Sequence, residues 1–190
     1  MITHKNLFLA AEVVAVILSL SYTFLYIHFA NTGGNIALAY LPAFFGSIVF
    51  MLLTYQKKIY AESGLHFFYI LFAVYGFFAT SSEWYVVHSE LPYHLPYILF
   101  GTIAVAGLGW CLKRKTDAKT PYLDAFTSVF SLIATWLMIH YVHENWLYWI
   151  VIDLVAIFLY GQRKMYISAL LFALFLIMAV DGYFESIQLF

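Results

Sequence analysis

The stretch Gln56-Lys57-Lys58-Ile59-Tyr60 returns later in the chain as Gln162-Arg163-Lys164-Met165-Tyr166, each time between two apolar segments. When residues 53–78 are set against 159–184, a shift of 106, nine of the 26 positions are identical. Upstream the shift becomes 112, and six residues between 19 and 28 meet identical residues between 131 and 140. The first copy therefore has a connector six residues longer, around residues 31–40. The chain is built from two like units in tandem.

The composition excludes a soluble domain. Of the 190 residues, 64% are hydrophobic and only 10% are charged, whereas soluble chains carry roughly 25% charged residues. The first apolar segment is too long for the core of a signal peptide and is predicted to be retained. This composition predicts an all-α integral membrane protein. The duplicated unit favours a transporter within that class. Seven segments are long enough to span a bilayer: 7–29, 37–55, 63–82, 94–112, 122–142, 145–161 and 165–184.

The placement of charge predicts the topology. With seven spans, all nine cationic residues fall on the side that holds the N-terminus, and the other side holds none. The positive-inside rule therefore puts the N-terminus in the cytoplasm and the C-terminus outside. The cationic residues are Lys5, Lys57, Lys58, Lys113, Arg114, Lys115, Lys119, Arg163 and Lys164, and the opposite side carries Glu83, Glu90, Glu144 and Glu185.

The repeat and the span count together predict a 3+1+3 arrangement of parallel repeats. Four crossings separate each helix from its repeat partner, so both copies point the same way. The predicted domains are 1–92 for the first three-helix bundle, 93–120 for the linker helix and its cytoplasmic loop, and 121–190 for the second bundle. Gly101, Gly107 and Gly109 make the linker a close-packing helix, and the single Cys111 can form no intrachain disulfide.

No phosphate-binding loop, nucleophile elbow or zinc-ligand pair on one helical face occurs, so an ATP-driven machine is excluded for this chain alone. We expect no enzymatic activity, no cofactor, no metal and no nucleic-acid partner. The informative residues are polar groups at membrane depth, which usually face a cavity.

Asp153, near the middle of the sixth span, is the first candidate for a substrate contact. On a helix it shares a face with Trp149, Trp146 and Tyr160. A carboxylate flanked by aromatic rings suits a cationic or electron-poor ring. The alternative is an Asp that pairs with a neighbouring helix. Trp146 is also placed to act as an interfacial anchor.

Further candidates lie in both copies. His66 and Tyr69 share a face of the third span and would contact either a substrate or a neighbouring helix, and Tyr40 precedes Pro42 at the start of the second. Gate candidates are the acidic residues Glu12, Asp124 and Asp181. Glu12 and Asp124 match across the repeat and would otherwise only begin their helices.

Two other classes of protein remain open at this point. His140, His143 and Glu144 invite a metal site, but their order matches no standard motif and their segment faces water. A membrane enzyme or haem-type redox protein would use His28, His66 and His140. A scaffolding subunit would bind no ligand.

Three stretches resemble the Pnu-type vitamin transporters. They are Lys58-Ile-Tyr-Ala-Glu-Ser-Gly-Leu-His-Phe-Phe-Tyr69 with Tyr75-Gly76, then Asn145-Trp-Leu-Tyr-Trp149 with Asp153, Leu159-Tyr160 and Tyr166, and Asp181-Gly-Tyr183. The resemblance implies a fold similar to SWEET sugar transporters, a homotrimer in the bacterial inner membrane, and facilitated diffusion of a vitamin that a cytoplasmic kinase then traps by phosphorylation. Substrates in the family are nicotinamide riboside, thiamine, riboflavin and deoxynucleosides.

The resemblance nominates Trp146 and Trp149 as substrate contacts, with Asn145, His66 and Tyr69 after them. The riboside branch usually has Trp residues entering the second span, where this chain has none between residues 35 and 40. It also commonly has Gln in place of His66. These departures favour thiamine slightly over nicotinamide riboside, and both are cations with an aromatic ring.

Overall fold

The computed structural model describes residues 4–32, 35–79, 87–140 and 142–184, which form seven α-helices, one short 3-10 helix and no strand. Glu83 and Glu185, counted above on the outer side, lie outside these residues. Every helix end lies within three residues of the predicted span, so the all-helical class is confirmed. The helices are α1 (His4–Thr32), α2 (Tyr40–Gln56), α3 (Tyr60–Ala79), α4 (Leu91–Lys115), α5 (Pro121–Ile139), α6 (Asn145–Gln162) and α7 (Tyr166–Phe184).

Six of the described helices are long and apolar enough to cross a membrane, judged by length and composition. α5, the predicted fifth span, is not among them. Its inner face is polar, because Thr127, Ser128, Ser131 and Thr135 are all buried within the protein. Side chains of this kind lower the mean hydropathy of a helix that still lies among other helices. That all seven helices cross the bilayer stays a prediction.

The chain divides into two compact units. The first contains Met1–Lys57 and Ser63–Glu83, and the second contains Lys58–Glu62 and Trp84–Phe190. In the first unit α1 packs along α2; in the second, α4 packs on α5, α5 on α6 and α6 on α7. The start of α3 thus belongs by its contacts to the second unit.

A glycine allows the two long helices of the first unit to approach closely. A Cβ atom on Gly46 of α2 would lie 3.2 Å from Leu18 Cβ and 3.7 Å from the Ala15 carbonyl oxygen of α1. Small residues at helix crossings are what membrane helices use to pack in a lipid environment.

The helix ends follow the sequence repeat. α2 ends at Gln56 and α6 at Gln162, while α3 begins at Tyr60 and α7 at Tyr166, each pair 106 residues apart. The longer connector of the first copy holds the 3-10 helix Ile36–Ala39. Its N-terminus is capped by Asn35, whose Oδ1 accepts a hydrogen bond of 3.1 Å from the Ala37 backbone N–H. Residues 33 and 34 of this connector lie outside the described part of the chain.

α6 has one protein face and one lipid face. Ile152, Asp153, Ala156, Leu159 and Tyr160 are buried, a spacing that keeps them on one side of a helix. Val151, Leu154 and Phe158 on the other side are at least half exposed. Large apolar side chains exposed in this way are expected of a helix that contacts lipid.

Candidate functional site

The sixth helix presents the predicted carboxylate and aromatic rings on one face of the second unit. Asp153 is 2% exposed and Tyr160 is fully buried, while Trp146 and Trp149 are half-buried. Trp149 lies four residues before Asp153, one helical turn away. The face therefore combines a buried carboxyl group with two half-buried indole rings.

Asn145 is the first residue of this helix, and only the nitrogen of its side-chain amide is hydrogen-bonded within the described residues. Its Nδ2 donates a hydrogen bond of 2.5 Å to the Val142 carbonyl oxygen. Its Oδ1 is buried and has no hydrogen-bond partner among the described residues. A buried acceptor without a donor is unfavourable, so Asn145 has one acceptor that a ligand donor would satisfy.

His66 and Tyr69 lie together in the first unit. The His66 ring stacks on Phe50 with centroids 5.1 Å apart and planes 8° apart, and it meets the Tyr69 ring edge-on at 5.7 Å. Both ring nitrogens of His66 are buried and lack a hydrogen-bond partner in the described part of the chain. Because they are enclosed, a polar ligand would reach them only after the surrounding side chains shift.

Tyr40 is the first residue of α2 and packs inside the first unit. Its ring centroid is 6.0 Å from that of Tyr22. Its ring also lies directly against Gly76 of α3, where a Cβ atom would come within 2.4 Å of two ring carbons. The repeat partner of Tyr40 is Trp146, at the shift of 106.

Asp124 makes hydrogen bonds to another helix, which its position in the sequence did not indicate. Its carboxylate accepts backbone hydrogen bonds from Ala61, at 3.1 Å, and from Glu62, at 3.0 Å. These are first-turn N–H groups of α3, so Asp124 on α5 caps another helix rather than its own. Of the other gate candidates, Glu12 is 2% exposed and Asp181 is 4% exposed, and both have interaction partners.

Glu62 is a buried carboxylate that the sequence analysis did not single out. It accepts hydrogen bonds from the hydroxyls of Thr127 at 2.9 Å, Ser128 at 3.4 Å and Tyr160 at 3.4 Å. It lies between the predicted spans 37–55 and 63–82, so its sequence position gave no sign of burial. The one available signal was its repeat partner Ser168, a polar residue inside the apolar α7.

Arg163, predicted only as a cytoplasmic charge, is 5% exposed. Its Nη2 donates to the Thr120 hydroxyl at 3.0 Å. This cation lies in the same unit as four buried acidic side chains, those of Glu62, Asp124, Asp153 and Asp181.

A second polar network joins the connection before α4 to the start of α6. The Ser89 hydroxyl donates to Glu144 Oε2 at 2.8 Å and lies 2.8 Å from His94 Nε2. His94 Nδ1 is 3.1 Å from the Tyr148 hydroxyl. Since Ser89 has one hydroxyl hydrogen, His94 Nε2–H donates to Ser89 and Nδ1 accepts from Tyr148. The network holds the first turn of α6, which carries Trp146 and is followed by Trp149.

The His and acidic residues considered above for a metal site do not form a cluster in the described part of the chain. Within the described residues, no group of three or more His, Cys, Asp or Glu side chains could hold a metal ion. His140 Nδ1 lies 2.8 Å from the Trp136 carbonyl oxygen, and His143 Nε2 lies 3.2 Å from the Tyr183 carbonyl oxygen. These imidazoles contact backbone carbonyls of their own unit.

Six apolar helices that bury acidic and aromatic side chains define a multi-pass helical membrane protein. The family model described as nicotinamide mononucleotide transporter matches residues 9–187. The chain belongs to this family of membrane transporters, and the resemblance to Pnu-type transporters is confirmed. The fold is similar to a crystal structure of the vitamin B3 transporter PnuC, with 21% identity, a TM-score of 0.70, and coverage of 92% of this chain and 79% of that chain.

Proposed function

We propose that this chain carries a water-soluble vitamin with a cationic aromatic ring across the membrane. The observation that carries the proposal is Asp153, a carboxylate buried in α6 one turn from the half-buried ring of Trp149. A carboxylate attracts the positive charge, and an indole face attracts a cationic ring through its quadrupole. Trp146, Asn145, His66, Tyr69 and Tyr40 are proposed as further contacts, and Glu12, Asp124 and Asp181 as gate residues.

Thiamine and nicotinamide riboside are the two candidates. The His66 side chain and the lack of Trp between residues 35 and 40 favour thiamine slightly. The names nicotinamide mononucleotide and vitamin B3, carried by the family and by the similar structure, favour the riboside. Both ligands present a ring cation, so Asp153 and Trp149 would serve either.

The proposed route is facilitated diffusion, after which a cytoplasmic vitamin kinase phosphorylates the substrate and traps it. The proposed arrangement is 3+1+3, in domains 1–92, 93–120 and 121–190. The matched helix ends at Gln56 and Gln162 support this arrangement. The proposal includes a cytoplasmic N-terminus, an outer C-terminus, a bacterial inner membrane and a homotrimer.

A binding screen of the purified full chain tests the proposal. Thiamine, nicotinamide riboside, riboflavin and nucleosides are titrated into wild type, Asp153→Asn and Glu90→Gln. Loss of a buried carboxylate is expected to weaken binding of the cation by about tenfold or more, with little effect on uncharged riboflavin. Glu90→Gln, which removes an exposed carboxylate, is the charge control. Equal affinity of wild type and Asp153→Asn would remove Asp153 from the site, and absence of vitamin binding would end the proposal.

Transport in proteoliposomes tests the route separately. Vesicles preloaded with the vitamin that binds are given a pH gradient. Facilitated diffusion predicts equilibration of labelled vitamin and no further change. Accumulation against the vitamin gradient would show proton coupling and would overturn the proposed route while leaving the substrate assignment intact.

A further inference from the structure

Each unit places an aromatic ring from the first turn of one helix directly on a glycine near the end of another. A Cβ atom on Gly76 of α3 would lie 2.4 Å from Cε1 and Cζ of Tyr40. A Cβ atom on Gly182 of α7 would lie 2.7 Å from Cε2 and 2.9 Å from Cδ2 of Trp146. Both distances are below ordinary van der Waals contact, so only glycine lets these rings occupy their present positions.

The two contacts are equivalent under the sequence repeat. Tyr40 and Trp146 are 106 residues apart, and so are Gly76 and Gly182. The ring type differs between the copies, but the glycine does not. The same close approach therefore occurs twice, within two separately described units.

Glycine is not required at every helical position of this chain. A Cβ atom on Gly64, Gly107 or Gly161 would meet nothing within 4 Å. Gly109 also lies against a ring, that of Tyr122, but this contact involves the linker helix α4 and has no counterpart in the other copy. The matched pairs are thus distinguished by their repetition and by the candidate substrate residues that they hold.

We propose that Gly76 and Gly182 are positioning residues, each of which sets where the aromatic ring of its own unit lies, Tyr40 in the first and Trp146 in the second. The inference rests on the proposed function, in which Trp146 is a substrate contact. A methyl group at residue 182 requires the indole to move by about 1 Å, since contact at 2.7 Å must open to ordinary van der Waals distance. An indole is rigid and has two side-chain torsions, so it moves as one body. Displacements of this size in a binding shell weaken recognition.

Gly182→Ala in the purified full chain tests the inference, with the binding vitamin from the screen as ligand. The dissociation constant is expected to rise about tenfold. Gly161→Ala, which adds a methyl group to open space on α6, is the matched control and is expected to bind as wild type does. A Gly182→Ala protein that binds as tightly as wild type would overturn the inference and leave the proposed function standing. A wild type that binds no vitamin would overturn both.

Rescue by a smaller ring separates positioning from general damage to packing. In the Trp146→Phe background, the smaller ring can accommodate the methyl group, so adding Gly182→Ala is expected to change the dissociation constant by less than about twofold. Additive losses in the double variant would overturn the inference. If Gly182→Ala does not fold, recovery of folding and of the Trp146→Phe affinity in the double variant supports it, and a misfolded double variant overturns it.

Discussion

Lys58 and Lys164 share a backbone conformation that side chains rarely adopt: their φ angles are 63° and 60°. Each follows the last residues of a helix, since Lys57 and Arg163 are the C-caps of α2 and α6. A left-handed residue at this position ends many helices, and it is usually glycine. The repeated Gln-x-Lys-x-Tyr sequence therefore specifies the same helix-ending turn twice.

Replacing either lysine by glycine removes the strain of this turn. Left-handed backbone costs an L-residue roughly 1–2 kcal/mol, so Lys164→Gly is expected to raise the free energy of unfolding by about 1 kcal/mol. Lys58→Gly should gain less, because the Lys58 ammonium pairs with the Asp117 carboxylate, an exposed pair worth up to about 1 kcal/mol. Thermal unfolding in detergent measures both.

The control for these substitutions is Lys115→Gly. Lys115 is the last residue of α4, where glycine costs up to about 1 kcal/mol. A Lys164→Gly protein that unfolds earlier than wild type would show that the lysine side chain contributes more than its backbone costs.

The predicted helices followed from local information, whereas the polar contacts between them did not. Apolar length and the cationic breaks at Lys57 and Arg163 were enough to place α2, α3, α6 and α7. Glu62 was different: its sequence neighbours are polar, and only tertiary packing brings it to three hydroxyl donors. The role of Asp124 could not be predicted either, because it caps a helix 62 residues away and local periodicity contains no information about such a contact.

The bonds from Asp124 to α3 predict a loss of stability when the carboxylate is removed. Asp124→Ala leaves the backbone N–H groups of Ala61 and Glu62 without their acceptor, and a lost cap costs about 0.5–2 kcal/mol. Burial makes the loss larger, so we expect about 1–3 kcal/mol. Asp124→Asn keeps one acceptor and should lose less.

Glu90→Gln is the control for Asp124, since it changes a carboxyl to an amide at an exposed site whose side chain caps no helix. Thermal unfolding of the four proteins gives the comparison. Equal stability of Asp124→Ala and wild type would mean that water or another group caps α3.

Trp149 predicts the largest effect on binding. Trp149→Ala removes an indole beside Asp153 and is expected to weaken vitamin binding by about 2 kcal/mol or more, close to thirtyfold. Trp110 of α4 is the matched control, because its ring is 49% exposed and packs on Arg114. Titration of both variants measures the difference, and similar affinities in the two would exclude Trp149 from the site.

The Glu144 carboxylate is expected to stabilise the folded protein to an extent that depends on pH. Burial alone would raise its pKa, but hydrogen bonds from the Ser89 hydroxyl and from backbone N–H groups hold the pKa below its usual 4.5. A carboxyl group whose pKa is depressed on folding stabilises the protein above its unfolded pKa. That stabilisation is lost as the pH falls from about 4.5 through the lower folded pKa.

Glu144→Gln should therefore unfold before wild type at pH 7, and the gap should narrow as the pH falls below about 4.5. Glu90→Gln serves as the control, since Glu90 makes no side-chain cap to α4. Melting curves from pH 3 to 7 test this directly. A gap between wild type and Glu144→Gln that stays constant over the range would mean that Ser89 does not bond preferentially to the ionised carboxylate.

Replacing Gly101 or Gly107 of α4 by Ala is expected to change the free energy of unfolding in opposite directions. A Cβ atom on Gly101 would lie 2.9 Å from Ile133 Cδ1 and 2.9 Å from Phe130 Cζ, whereas one on Gly107 would meet nothing within 4 Å. Ala is a better helix former than Gly by about 0.5–1 kcal/mol, so Gly107→Ala should be stabilised by that amount. Gly101→Ala has the same advantage in helix propensity, but its methyl group must displace the packed side chains of α5, at a cost of about 1–3 kcal/mol. The variant is therefore expected to be less stable than wild type. Thermal unfolding of the two variants should bracket wild type, and a stabilised Gly101→Ala would show that α4 can move away from α5 at little cost.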